Sequence, residues 1–327
     1  MKVFVTGPDG LLGSNLVREL LQDDYQVKAF VFPGSRSKTL DGLPIERASG
    51  NILNIDDLRQ AMADCDVVIH AAANTNVWPT RSEKIRKVNL QGTQNAVQAA
   101  LDCGIKRFIY VSSASSYHHG TKKEPGNEQQ PFTGARYGLD YIDSKYHAQE
   151  YVLESVRNNG LPGVVINPTF MFGEFDSLPS SGRMILAVYH GKVPGYTAGG
   201  KNFVYVRDVA RAIVNAITLG RVGECYIAGH VNLHYKELFE IIAGVVGVEP
   251  PKYQLPDLVM RLIGWGGTAM GRLFRTTPAL NHATAQISCD SQFYSPAKAV
   301  KELHMPQTEI DSAIRSAFHW LKSNHYC

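Results

Sequence analysis

The most constraining feature of this chain is a glycine spacing. The apolar run Val3-Phe4-Val5 passes directly into Thr6-Gly7-Pro8-Asp9-Gly10-Leu11-Leu12-Gly13, the pattern G-x-x-G-x-x-G. Between a strand and a helix, each glycine has a task. The first permits a tight turn, the second lets backbone amides approach a pyrophosphate at the helix N-terminus, and the third lets the helix pack close to the sheet. Glycines alone also fit a plain strand-to-helix turn, so the order of elements downstream decides the reading.

That order is regular. Short β-branched or apolar runs at 2–6, 26–32, 67–71, 107–112 and 163–167 read as buried strands. Segments 12–21, 55–63, 84–103 and 144–157 between them carry helical period. Such alternation specifies the α/β class, a Rossmann-type doubly wound parallel sheet covered by helices. The 327 residues leave room for a dinucleotide-binding core over 1–171 and a smaller C-terminal substrate lobe over 172–327, with segments returning to the core. Past Phe172 the alternation loosens into Gly- and Pro-rich connections at 178–182 and 194–201, with helices near 208–219, 235–246 and 309–323. Segment 255–274 mixes apolar residues with Arg261, Arg272 and several glycines. It reads as a lobe helix interrupted by a turn, with contact to a membrane surface as the alternative.

Composition narrows the partners. With 33 basic and 30 acidic residues, the charge is too even for phosphate neutralisation to supply much affinity, and no nucleic-acid partner is expected. The five cysteines are scattered, with neither a zinc nor a redox spacing, so no metal is expected. No apolar stretch reaches the ~18 residues of a membrane span, and Met-Lys followed at once by a strand leaves no room for a signal peptide. A cytoplasmic address is the expectation.

An acid ~20 residues beyond the glycines would bind a ribose 2′-hydroxyl. The stretch here is Phe32-Pro33-Gly34-Ser35-Arg36-Ser37-Lys38, and the first carboxylate is Asp41. Arg36 and Lys38 suit a 2′-phosphate, so NADP(H) is expected ahead of NAD(H), which stays open.

A second constellation is Tyr141-x-x-x-Lys145 at the start of a helical segment, where residues four apart share a face. A phenol is a poor proton relay at neutral pH, and a nearby ammonium lowers its pKa. With 15 tyrosines, chance supplies about one such pair, and the chain holds a second, Tyr294-x-x-x-Lys298, with a proline between the partners. Position favours Tyr141: it follows by one loop the strand ending in Ser112-Ser113-Ala114, whose hydroxyls fall at the carboxyl edge of the sheet, where ligands bind in this architecture.

Gly7, Gly10, Gly13, Ser113, Tyr141 and Lys145, in this order and spacing, resemble an extended short-chain dehydrogenase/reductase of the epimerase/dehydratase type. Further matches are Asp66-Val-Val-Ile-His70-Ala-Ala-Ala73, Val88-Asn89-Leu-Gln-Gly92-Thr93 and Val206-Arg207-Asp208-Val209-Ala210. The resemblance implies that Tyr141 is the general acid/base, that Lys145 holds the nicotinamide ribose and that Ser113, with Ser112 as competitor, binds the substrate oxygen. It places Thr6, Leu11, Leu12, Asn51, Ile52, Ala71, Ala72, Ala73 and Pro168 beside the glycines on the cofactor, and Asn89 as a support of the site. Helices 84–103 and 144–157 resemble those through which relatives form homodimers.

Ser113-Ala114-Ser115 departs from the Thr-Asp-Glu of the dehydratases. Asn167-Pro168-Thr169-Phe170 departs from the Arg and Asn of the epimerases. The Pro-Thr form is closer to dihydroflavonol-reductase and 3β-hydroxysteroid-dehydrogenase-like members. Trp78, Tyr137, Met171, Phe172, Phe175 and Met184 are candidates to line a pocket for a small, partly apolar substrate. His118 and His119 read as a solvated pair. The expected activity is NADP(H)-dependent carbonyl reduction or alcohol oxidation; the alternatives are an NAD-dependent sugar-nucleotide epimerase and a dinucleotide-sensing regulator without turnover.

Overall fold

The apolar runs lie side by side. A computed structural model describes residues 1–35 and 37–327. Its first half comprises β1 (Lys2–Thr6), α1 (Leu11–Gln22), β2 (Gln26–Val31), β3 (Glu46–Ser49), α2 (Ile55–Met62), β4 (Val67–His70), α3 (Glu83–Arg86), α4 (Gly92–Asp102), β5 (Arg107–Val111) and α5 (Asp140–Asn159). Then come β6 (Gly163–Pro168), β7 (Phe170–Phe172), α6 (Gly182–Tyr189), β8 (Gly200–Tyr205), α7 (Val206–Leu219), β9 (Cys225–Ala228), β10 (Val231–His234) and α8 (Tyr235–Val246). The chain ends in α9 (Asp257–Leu273), α10 (His282–Cys289), β11 (Ser291–Gln292), α11 (Ala297–Leu303) and α12 (Ile310–Ser323).

Seven strands form a sheet in the order β3-β2-β1-β4-β5-β6-β9, every pair of it parallel. This is the Rossmann-type doubly wound architecture. From β1 the chain builds outward to β2 and β3, then returns to place β4 on the other side of β1. The order reverses there, and the carboxyl ends Thr6 and His70 border the crevice where such sheets bind ligands.

Alternation along each strand fills both faces. Val3 and Val5 of β1 pack with Leu16 and Val17 of α1 and Ile213 of α7, while Phe4 points to the opposite face with Leu58 of α2, Val97 of α4 and Val152 of α5. Each such side chain contributes roughly 1.5–3 kcal/mol by leaving water. A smaller sheet, β10-β8-β11 with β7 against β8, rests on α6, α8 and α12 through Phe172, Phe203, Leu238 and Ile314.

Two local elements differ from the sequence reading. Segment 84–103 is not one uniform α-helix: Lys87–Gln91 winds as a π-helix between α3 and α4. Segment 255–274 contains no interrupting turn, since α9 runs unbroken from Asp257 to Leu273. Its inward glycines allow contact no larger residue would. A Cβ on Gly264 would fall 2.5 Å from Ala285 Cβ, and one on Gly267 would fall 2.1 Å from Leu280 O. This packing offsets the ~1 kcal/mol that each glycine costs a helix.

Candidate active site

The glycine turn meets the crevice as its spacing requires. Gly7 has φ +65, and a Cβ there would come within 2.8 Å of Ala72 Cα, so a side chain is excluded by backbone on the β4 side. On Gly13 a Cβ would sit 2.0 Å from Gly7 O, which lets α1 start close against the turn. Gly10 caps α1 without a side-chain bond, and the first turn of α1 carries no acidic residue. Its free amides and dipole therefore suit an anion. Beside it opens a cavity of about 540 Å³ that brings together Gly7, Asn51, Ile52, Ala72 and Ala73, with Phe30 and Phe32 from β2 and its end. Its size and close backbone approach fit the nucleotide half of a dinucleotide.

The acid sought after β2 enters from the turn itself. Asp9 lines the cavity, and its Oδ2 accepts from Ser35 Oγ at 2.6 Å and Ser37 Oγ at 2.7 Å. It ties the glycine turn to the loop expected to choose between NAD and NADP. Lys38 heads the short turn Lys38–Leu40, exposed and outside the cavity lining; Arg36 lies outside the described residues.

At the end of β5 the two serines diverge. Ser112 is buried, its N–H donating to Ile166 O at 2.7 Å and its Oγ 3.3 Å from Ser116 Oγ. Ser113 is half-buried, with Oγ 2.8 Å from Ser115 Oγ, and its carbonyl accepts from Asn167 Nδ2 at 3.0 Å. Asn167 also donates to Gln149 Oε1 at 2.6 Å. The residue that departs from the epimerase pattern thus holds the Ser113 backbone, a role the substitution alone did not disclose.

Tyr141 stands in the first turn of α5, and Lys145 lies one turn further on. The buried Lys145 Nζ donates to Val111 O at 2.5 Å and lies 4.5 Å from the Tyr110 ring centre. Burial brings the Lys145 pKa down to about 7. Burial also raises the Tyr141 phenol, with the Ser113 hydroxyl opposing the rise. This reverses the lowering expected from a nearby ammonium: desolvation dominates the resting Tyr141 phenol, while Lys145 Nζ donates its hydrogen bond to the Val111 carbonyl.

A line of hydrogen bonds joins the glycine turn to this helix. Thr6 Oγ1 accepts from Ala72 N–H at 3.1 Å and lies 2.8 Å from His70 Nδ1; His70 Nε2 lies 3.2 Å from Thr93 Oγ1, which donates to Asn89 O at 2.7 Å. Asn89, in the π-helical segment, donates through Nδ2 to Asn74 O at 3.1 Å and Ser144 Oγ at 3.0 Å. Ser144 Oγ in turn donates to Tyr141 O at 3.1 Å. His70 is fully buried, and desolvation first, then the Lys145 charge, lower its pKa to about 3, so it is neutral at ordinary pH.

The expected substrate residues fare unevenly. Phe172 is fully buried, stacked on Phe203 with ring centres 5.8 Å apart, and so belongs to the lobe core and not to a pocket wall. Phe175, at φ +68, sits under the Arg18 guanidinium at 3.7 Å and beside Trp320 at 6.0 Å. Met171 and Met184 pack partly buried against two different cores. Tyr137 is buried and donates to Asp290 Oδ2 at 2.6 Å. Trp78 is half-buried and meets Gly271 of α9. His118 and His119 are half-buried and stacked, with His118 Nδ1 2.8 Å from Thr133 Oγ1 and His119 Nε2 2.8 Å from Arg136 Nη2, so they are not a solvated pair. Tyr294 is buried with its hydroxyl on Tyr117 O at 3.4 Å, while Lys298 donates to Glu224 Oε2 at 2.6 Å, so both partners are engaged in local packing.

A doubly wound sheet with this glycine turn at its switch point, and Y-x-x-x-K on the helix beside a serine-bearing strand end, defines an NAD(P)-dependent enzyme of the extended short-chain dehydrogenase/reductase type. The chain belongs to the NAD dependent epimerase/dehydratase family, whose model matches residues 3–229. It is 32% identical to a putative dihydroflavonol 4-reductase of Synechocystis over 99% of this chain and 95% of that one. It is 28% identical to sterol demethylase protein B of Methylococcus capsulatus over 98% of each. Among solved structures, a nucleoside-diphosphate-sugar epimerase from Pseudomonas aeruginosa superposes with a TM-score of 0.82 at 27% identity, covering 100% of this chain and 99% of that one.

Proposed function

We propose that this enzyme passes hydride between a nicotinamide and the carbonyl or alcohol of a small, partly apolar substrate, with Tyr141 as the proton donor and acceptor. One observation carries this reading: Ser113 and Tyr141 share the half-buried mouth at the end of β5, while Ser112 turns inward to Ile166 and Ser116. NADP(H), when bound, supplies or accepts the hydride. Thr6, Gly7, Gly10, Leu11, Leu12 and Gly13 would seat its pyrophosphate, and Asn51, Ile52, Ala71, Ala72 and Ala73 its adenosine side, with Pro168 at the nicotinamide.

In reduction, the Ser113 hydroxyl donates to the substrate oxygen and orients it, and Tyr141 Oη gives that oxygen its proton. The Lys145 ammonium, sharing the face of α5, favours the phenolate left behind. Trp78, Met171 and Tyr137 border the substrate, with residues 172–327 as its lobe, and protomers pair through α4 and α5. Light scattering tests the pairing; a monomer at micromolar concentration would remove it.

NADP(H) is favoured because β2 ends without an acid, the Asp9 carboxylate is already engaged by Ser35 and Ser37, and the sequence after β2 supplies Arg36 and Lys38 as cations suited to a 2′-phosphate. Fluorescence titration should show tighter binding of NADPH than of NADH, with the preference reduced in Arg36→Ala. Equal affinities would return the assignment to NAD(H). A panel of carbonyl compounds read by NADPH absorbance tests the reaction class: consumption of NADPH is the expected result, whereas sugar-nucleotide inversion without net consumption would point to an epimerase.

A further inference from the structure

Helix α9 packs inside out. The residues it turns to the protein are small: Gly264, Thr268 and Gly271 are its buried positions. Its bulky apolar side chains face outward, with Leu258 69% exposed, Leu262 63%, Trp265 62% and Leu273 74%. At ~100° per residue these four and Ala269 form one stripe, which Val259 and Met270 widen on one side. Arg261 and Arg272 border its other side, and Arg275 follows the helix; all three are exposed and make no ion pair among the described residues. Asp257, at the first position, is the one carboxylate in α9.

A soluble surface helix carries the opposite pattern, so this face is built for a partner. We infer that α9 is a docking surface for an anionic lipid bilayer, lying in the plane of the interface. Three features select this occupant. No helix among the described residues is long and apolar enough to cross a membrane, while a stripe of Leu and Trp with arginines at its border suits the boundary between headgroups and acyl chains. The unpaired arginines complement anionic lipid and leave this surface cationic. The opposite, inward side of α9 packs on Trp78, which a Cβ on Gly271 would approach to 2.8 Å, so a helix lying on the bilayer would stay next to a residue proposed to border the substrate.

The test is co-sedimentation of the full chain with phosphatidylcholine vesicles, with and without phosphatidylglycerol. Binding to the anionic vesicles is expected, with a blue shift of tryptophan emission that Trp265→Phe removes. Leu262→Glu with Leu273→Glu changes only exposed side chains, so thermal melting should be retained while vesicle binding falls more than about tenfold. Arg261→Gln and Arg272→Gln should each weaken binding to anionic vesicles about fivefold. The inference is overturned if the parent chain sediments with neither vesicle, or if the double glutamate variant binds as the parent does. It is equally overturned if that variant turns a dimer into a monomer while the parent ignores vesicles, which would make the stripe an interface between two copies of this chain.

Discussion

The Lys145 ammonium donates to the Val111 carbonyl at 2.5 Å, fixing α5, the helix that carries Tyr141, to the end of the strand that leads into Ser113. With burial holding its pKa down to about 7, the cation is present below that pH and lost above it. In the reductive direction, kcat/KM should fall as pH rises through about 7, because the phenolate left on Tyr141 loses its counter-charge. Lys145→Met should abolish this alkaline limb and lower the rate about 10²-fold or more, with a melting temperature at pH 7 no lower than the parent's, since a desolvated cation is removed. A limb unchanged in Lys145→Met would show that another group titrates.

His70 links Thr6 to Thr93 in the core of the crevice. Its pKa is lowered to about 3 by burial in the folded chain, against ~6.5 when unfolded. Between those values the unfolded chain binds the extra proton, so stability rises with pH and is lost as pH falls from 6.5, by up to about 1.4 kcal/mol per pH unit from this residue. His70→Leu should cost about 1–3 kcal/mol at pH 7, because each buried threonine hydroxyl loses one of its two partners, Thr6 keeping only Ala72 N–H and Thr93 only Asn89 O, and should flatten the decline in melting temperature between pH 6.5 and 4.5. An equally steep decline in the variant would assign the acid sensitivity elsewhere.

Among the described residues, the Asn167 side chain donates to the Ser113 carbonyl and to Gln149 Oε1. Asn167→Leu should reduce kcat by roughly tenfold, in keeping with a misplaced polar group, and leave NADPH affinity unchanged. Loss of nucleotide binding together with activity would instead mark a general collapse of the sheet edge.

The core of the sheet was legible because its strands are apolar runs and its helices keep their period. Strand β3 was not: Glu46-Arg47-Ala48-Ser49 is a polar edge strand with no pattern to betray it. Segment 255–274 misled because its glycines, which usually break helices, serve contacts with Leu280 and Ala285 that no local pattern shows. Phe172 was misplaced for a related reason, since Phe203, supplied by pairing across β7 and β8, turns it into the lobe core. Gly7 and the Tyr141–Lys145 pair could be named from spacing and position, and Ser113 over Ser112 only through the family resemblance, but Asp9 gains its role from hydroxyls 26 and 28 residues away.

The two Y-x-x-x-K pairs allow the most direct measurement, because they share a pattern and differ in surroundings. Tyr141 faces Ser113 at the crevice, whereas Tyr294 is buried against Tyr117. Steady-state turnover on the best carbonyl substrate, with NADPH binding and thermal melting followed in parallel, should fall about 10²–10⁴-fold in Tyr141→Phe while nucleotide binding persists. Tyr294→Phe should remain within a few-fold of the parent. A folded, fully active Tyr141→Phe beside an inactive Tyr294→Phe would contradict the assignment of Tyr141 as the proton donor.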